Sequence, residues 1–154
     1  MKIRQATPAD ADELVRLRAT MLRTVSAQNW DDDWREPARA SLARRLGAAE
    51  PTLAAFVADR PDGPGLAACV VGLVEERLGG PGNPGGRVGY VFSVSTDPDM
   101  RRRGYSRACM EALLRWFRDQ GVPIVDLRAS PSGEPLYTSL GFVRTSDPAM
   151  RLRL

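Results

Sequence analysis

The chain has no histidine. That absence removes the His-Ser and His-Cys nucleophile pairs and every histidine-ligated metal site. Cysteine is scarce: Cys69 and Cys109 are the only two, each inside an apolar segment. They read as small core residues rather than a disulfide or a reactive pair. Lys2 is the only lysine, so nearly all positive charge is arginine. No apolar run approaches the roughly 20 residues of a membrane span. The opening Met1-Lys2-Ile3-Arg4 enters polar, acidic sequence, unlike a signal peptide. A cytoplasmic location with no membrane partner is the expectation. Any catalysis must rest on carboxylates, tyrosine, serine, arginine and backbone groups, with no metal.

What is present fits one soluble domain over residues 1–154, with 43% hydrophobic and 27% charged residues. Net charge is +3. Residues 1–64 hold ten basic and ten acidic side chains, and residues 65–154 hold twelve and nine. The excess sits where Arg101, Arg102, Arg103 and Arg107 cluster. That bias is too small for a nucleic-acid binder, which would need a broad basic face. It suits one small anionic ligand.

Periodicity orders the elements. Lys2 to Gln5 makes a short strand. Thr7-Pro8 reads as an N-cap with proline at the first helical position. Leu14, Leu17, Met21, Leu22 and Val25 recur at helical spacing. Asp31-Asp32-Asp33 precedes a second helix over about Trp34 to Ala48, where acids favour the positive end. Strands follow at 52–59, 66–74 and 88–94, the middle one apolar enough to be covered on both faces. The Gly/Pro-rich run 79–86 reads as a mobile connection. Tyr105, Ala108, Cys109, Ala112, Leu113, Trp116, Phe117 and Gln120 share one helical stripe. Arg107–Glu111 and Glu111–Arg115 are i,i+4 pairs on its outer side. Ile124 to Ala129 is a strand, Glu134 to Leu140 a short helix, and Gly141-Phe142 opens another strand. Met150 to Leu154 is a candidate last strand.

Between the 88–94 strand and the long helix lies Arg101-Arg102-Arg103-Gly104-Tyr105-Ser106. A helix start offers unpaired N–H groups and a positive dipole end. Gly104 and the small Ser106 let a phosphate approach the backbone, and the arginines add charge-assisted donors. The segment is a plausible pyrophosphate cradle, although a solvated basic turn has the same composition. It is not a nucleotide P-loop, because no Gly-x-x-x-x-Gly-Lys-Ser/Thr run exists.

Three segments together resemble the GCN5-related N-acetyltransferase (GNAT) family over nearly the full length. They are Val94-Ser95-Thr96-Asp97-Pro98 leading into the 101–106 turn, the amphipathic helix after it, and Pro135-Leu136-Tyr137-Thr138-Ser139-Leu140-Gly141-Phe142. Ser106 stands where the family usually has glycine or alanine. The resemblance implies an α/β (α+β) fold: a twisted, mixed, mostly antiparallel sheet of six to seven strands flanked by about four helices. It implies an acetyl-CoA-dependent enzyme that moves the acetyl group to a small-molecule or peptide amine by direct attack. Val94, Ser95, Thr96 and Arg101 to Ser106 are the implied cofactor-binding residues, with a β-bulge at the strand end. Ser130 stands where many relatives have a cofactor-touching asparagine. Tyr137 matches the tyrosine that faces the CoA sulfur, and its phenol can donate a proton to the leaving thiolate.

Glu75 and Glu76 lie near the family's acceptor side and are the candidate bases. Adjacent strand residues face opposite ways, so at most one should point at the acceptor. Asp31 to Asp33 and the 79–86 loop flank the implied acceptor cleft, and Trp30 and Trp34 either line it or anchor the second helix. A CoA-binding regulatory module without catalysis is the alternative. The acceptor's identity and a homodimeric state stay open.

Overall fold

The computed structural model describes residues 1–25 and 28–154. Strand β1 (Ile3–Gln5) leads into a 3₁₀ turn at Pro8–Asp10, where the Thr7 N–H donates to Asp10 Oδ2 at 2.8 Å. Helix α1 (Ala11–Val25) continues from it, and α2 (Arg35–Leu46) follows. Then come β2 (Leu53–Asp59), β3 (Leu66–Glu76), β4 (Arg87–Thr96), α3 (Tyr105–Asp119), β5 (Val125–Leu127) and α4 (Glu134–Ser139). The strands form one sheet in the order β1-β2-β3-β4-β5. The first four pair antiparallel and β5 joins β4 in parallel.

The mixed, mostly antiparallel sheet with four helices agrees with expectation, but it has five strands, not six to seven. Two expected strands are missing for separate reasons. At Gly141-Phe142 the backbone donors are used to close α4: Gly141 N bonds Thr138 O at 3.1 Å and Phe142 N bonds Tyr137 O at 3.0 Å. At Met150–Leu154 apolar and basic residues alternate, yet Met150, Leu152 and Leu154 are all exposed. An alternating segment forms a strand only where one face is covered and a neighbour takes its hydrogen bonds. The 79–86 run is also more ordered than its composition suggests. Gly80 and Asn83 exchange two backbone bonds of 3.0 Å, and Arg77 N bonds Gly86 O at 2.7 Å, closing the β3–β4 hairpin. On α3 the Arg107–Glu111 pair forms at 3.9 Å, while Glu111–Arg115 is not among the ion pairs of the described residues.

β3 is buried on both faces and divides the core. Val70 and Val74 face α3, whose stripe of Tyr105, Cys109, Leu113, Trp116 and Phe117 is buried against them. Approach is close here: a Cβ on Gly72 would lie 2.7 Å from Leu113 Cδ1, and one on Gly89 2.7 Å from Phe117 Cε1. Cys69 and Val71 face the other way, against Leu14 and Leu17 of α1. Burial pushes both thiols up, Cys109 to about 12, so neither is a nucleophile near neutrality. No helix of the described residues is long and apolar enough to cross a membrane.

Candidate functional site

The site forms where β4 stops being a regular strand. Val71 pairs with Phe92 and Cys69 with Ser95, so Ser93 and Val94 together oppose the single residue Val70. This is a β-bulge, and Ser93 takes the left-handed φ of +50°. Pairing with β5 ends at Val91–Leu127, so β4 beyond that point has no sheet partner on that side. The end of that pairing leaves the Phe92–Thr96 backbone as an open edge on the β5 side, referred to below as the slot. The sequence located this strand end, and the bulge implied by the resemblance is there.

Side chains around the slot divide by face. Ser95 is buried and its hydroxyl donates to Leu17 O at 2.8 Å, tying α1 to the strand. Val94 packs on the α3 side of the core. Thr96 Oγ1 lies 2.7 Å from Ser106 Oγ, joining the strand end to the first turn of α3. Arg101 Nε donates to Thr96 O at 3.2 Å. Arg101, Arg102, Arg103 and Gly104 are all exposed, and Tyr105 turns inward. Arg102 adopts φ +63° and Gly104 φ +84°, both in the left-handed region. A Cβ on Gly104 would meet nothing nearer than Met1 Cε at 3.8 Å, so the space beside the helix start is open. An exposed turn with free arginine donors, an open glycine and a helix N-terminus fits a pyrophosphate.

An ion-pair network holds this junction in place. Asp97 is buried and takes Arg16 on both oxygens, at 2.9 and 3.0 Å, and Arg60 Nη1 at 2.9 Å. Glu13 bonds Arg16 and accepts the Leu66 N–H at 2.8 Å. Arg16 and that N–H hold the Glu13 carboxyl below its ordinary range. The network clamps α1, the β2–β3 turn and the end of β4 together. None of its members was singled out from the sequence except Asp97, as part of the strand-end motif.

Tyr137 lies in α4, with 8% of its surface exposed, in the cluster that α3 covers. Its ring meets Phe142 edge-on at 6.1 Å. Burial raises the phenol above its ordinary value, so it holds its proton throughout the neutral range. Ser130 opens the same helix: its hydroxyl accepts the Gly133 N–H at 3.2 Å and its carbonyl accepts Glu134 N at 3.0 Å. The side chain is thus part of α4's own start.

Glu75 and Glu76 are split by the pleat as expected. Glu75 pairs across the strand with Val88 on the face shared with Leu73 and Tyr90, and Glu76 with Arg87 on the α3 face. Glu75 is half-buried and accepts Arg77 Nε at 3.0 Å. It stands four positions from Val71 along β3, about 13 Å from the bulge at 3.3 Å per residue. In the α1–α2 connection, Asp32 Oδ1 accepts Arg35 Nε at 2.7 Å and Trp30 Nε1 at 3.1 Å, and Asp31 Oδ1 accepts Asp33 N at 2.9 Å. Trp30 and Trp34 meet edge-on at 5.9 Å, and Arg23 lies 4.3 Å over the Trp30 ring. Most of this cluster is satisfied by its own neighbours.

Sequence reading missed Arg18. It falls on the apolar stripe of α1, four residues after Leu14 and four before Leu22. An arginine at a core-facing position was the signal. Its Nη1 lies 2.5 Å from Ser93 Oγ, at the bulge, and its guanidinium carbon 5.9 Å from the Phe92 ring centroid.

The split strand pair, the arginine-rich start of α3 and the buried tyrosine of α4 are brought together in one fold, as the resemblance implied. The model of the Acetyltransferase (GNAT) family matches residues 19–142. The chain belongs to the GNAT acetyltransferase family. A predicted acetyltransferase from Clostridium acetobutylicum, solved with acetyl-CoA, superimposes with TM-score 0.84 at 21% identity, covering 99% of this chain and 95% of that one. A GCN5-related N-acetyltransferase from Ralstonia eutropha JMP134 gives TM-score 0.82 at 24% identity over 98% and 97% of the two chains. At such identities the likeness is one of fold. Mycothiol acetyltransferase from Nocardiopsis dassonvillei is 39% identical over 66 residues, 41% of this chain but only 20% of that protein's length.

Proposed function

We infer that residues 1–154 act as a single domain that transfers the acetyl group of acetyl-CoA to an amine. The observation that carries this reading is the junction of the β4 bulge with the Arg101–Ser106 turn. The slot beside Phe92–Thr96 offers backbone partners to an extended, amide-bearing arm, as an added strand would use them. The turn offers Arg101 to Arg103 and the α3 N-terminus to a pyrophosphate.

In the net reaction a C–N bond forms and the thioester C–S bond breaks; the amine gives up a proton and the thiolate gains one. Tyr137 holds a proton at a hydroxyl that makes no hydrogen bond to the described residues, and it serves as the acid toward the leaving sulfur. Backbone N–H groups on the edge that β5 leaves unpaired beyond Val91 stabilise negative charge on the carbonyl oxygen. The amine must arrive neutral, although a free alkylamine has a pKa of about 10.4. Glu75 is on the correct face for a base but about 13 Å along the strand, so its proton transfer runs through water. Glu76 points to the other face and takes no part.

The test is a thermal shift with acetyl-CoA followed by a free-thiol assay over a panel of amines. Acetyl-CoA at about 100 times its dissociation constant should add roughly 2.7 kcal/mol of stability. Absence of a shift overturns the reading. A shift with no thiol release from any amine selects the regulatory module instead.

A further inference from the structure

Two arginines two residues apart in α1 have opposite fates. Arg16 is neutralised by Glu13 and Asp97. Arg18 is half-buried and forms no ion pair with any described residue. Among the described residues its one hydrogen-bond partner is Ser93, from Nη1 to Oγ. Burial lowers its affinity for the proton, and no carboxylate is near enough to offset that. Uncompensated charge inside a fold is costly, and it persists where a ligand supplies the counter-charge.

Its surroundings specify that ligand. With Nη1 on Ser93, the edge formed by Nε and Nη2 remains free, and that edge is the shape of one carboxylate. Phe92 lies under the guanidinium and Tyr90 stacks on Phe92 at 6.2 Å, giving an apolar, aromatic floor. One guanidinium matches one negative charge, whereas a phosphate dianion calls for more cations. The anchor touches the bulge residue itself, so a carboxylate held there lies within a few bonds of the bulge.

We propose that Arg18 is the specificity residue of the acceptor site, holding the carboxylate of an amino-acid-like acceptor whose nearby amine takes the acetyl group. This rests on the acetyltransferase reading above. The acceptor is a zwitterion: its carboxylate sits on Arg18 and its amine, once deprotonated, faces the thioester. Amides, decarboxylated amines and phosphoethanolamine lack the matching group.

The test compares each of the free amino acids with its carboxamide, and includes phosphoethanolamine, in the thiol-release assay. At least one free acid should exceed its amide by about tenfold or more in kcat/KM, the size of a hydrogen bond to a charged group. Arg18→Gln should erase that preference mainly through KM, while the thermal shift with acetyl-CoA stays as in the wild type. Arg18→Lys should restore part of it, since charge returns without the fork. Equal use of acids and amides, retention of the preference in Arg18→Gln, or preference for phosphoethanolamine overturns the inference and leaves acetyl transfer standing. If no acceptor of any kind releases thiol, the transferase reading fails. Calorimetric titration of the best-stabilising amino acid into acetyl-CoA-saturated protein then decides Arg18 separately. Binding lost in Arg18→Gln supports the anion site, and no binding by the wild type overturns it.

Discussion

The two halves of the cleft are built in different ways. The proposed cofactor half is one continuous run, Phe92 to Ser106, and offers mainly backbone: a bulge, an unpaired strand edge, a helix start. The proposed acceptor half is assembled from side chains brought together by folding, with Arg18 meeting Ser93 across 75 positions. A backbone site needs only that certain residues be small and in order. A side-chain site needs particular groups to converge, so a single substitution can re-aim it. The proposed cofactor half should therefore tolerate side-chain changes except at the turn glycine and its arginines, while the acceptor half should respond to single residues.

Chemistry at the meeting point of the halves gives the largest expected effect. Tyr137→Phe should lower kcat by roughly 10²- to 10⁴-fold if the phenol is the acid. Calorimetry should show acetyl-CoA affinity nearly unchanged. The pH profile sharpens this: because burial raises the phenol, the alkaline fall in kcat should lie above an ordinary tyrosine's value of about 10. Wild-type-like turnover in the variant would remove Tyr137 from the reaction.

Next is the clamp behind the cofactor half. Asp97→Ala leaves Arg16 and Arg60 facing a buried gap, at a cost of about 3 kcal/mol, the low end for a broken buried pair since Arg16 is partly exposed. For a chain of this size that is a fall in Tm of about 6–12 °C by scanning calorimetry. Acetyl-CoA affinity should fall far less than stability. If the two fall together, the turn depends on side-chain support and the contrast between the halves weakens.

Gly104→Val tests the backbone claim directly. At φ +84° a β-branched residue is strained by about 1–2 kcal/mol, and its side chain enters the open space beside the helix start. Acetyl-CoA should bind about tenfold or more weakly, with amine selectivity unchanged. A shift in selectivity instead would mean the halves are not separable.

Smaller effects concern pH and the surface. The Glu13 carboxyl is held low in the folded state, chiefly by Arg16. Its contribution is complete above the unfolded value of about 4.3 and is lost as pH falls below it through the folded value. Glu13→Gln should flatten that acid limb of the stability curve in urea titrations. Arg144→Ala removes an exposed pair with Glu134 and should leave stability nearly unchanged by the same titration.

Legibility in the sequence follows the same division. α3 was plain because its stripe repeats at 3.6 residues and ends at Gly121, and the observed helix spans Tyr105–Asp119. The strands expected at 52–59, 66–74 and 88–94 were plain for similar reasons, each being an apolar run between turn residues, and are observed at Leu53–Asp59, Leu66–Glu76 and Arg87–Thr96. The expected strands at 141–142 and 150–154 failed because strand formation needs a neighbour, and local pattern cannot supply one. Glu75 and Glu76 were correctly separated by the pleat, but their distance from the bulge depends on sheet register. Arg18 carried a signal, charge within an apolar stripe, that looks like an interruption until its partner is known.

Order and residue type along the chain thus determined the arginine–glycine turn, the tyrosine helix and the family to which the chain belongs. Those features are local, and local backbone chemistry is written in contiguous residues. Tertiary structure alone decided that Ser93 bulges opposite Val70, that Asp97 is clamped by Arg16 and Arg60, and that Arg18 stands uncompensated beside the bulge. Each is a pairing of distant residues, fixed by the packing of α1 across the sheet rather than by anything adjacent in the chain.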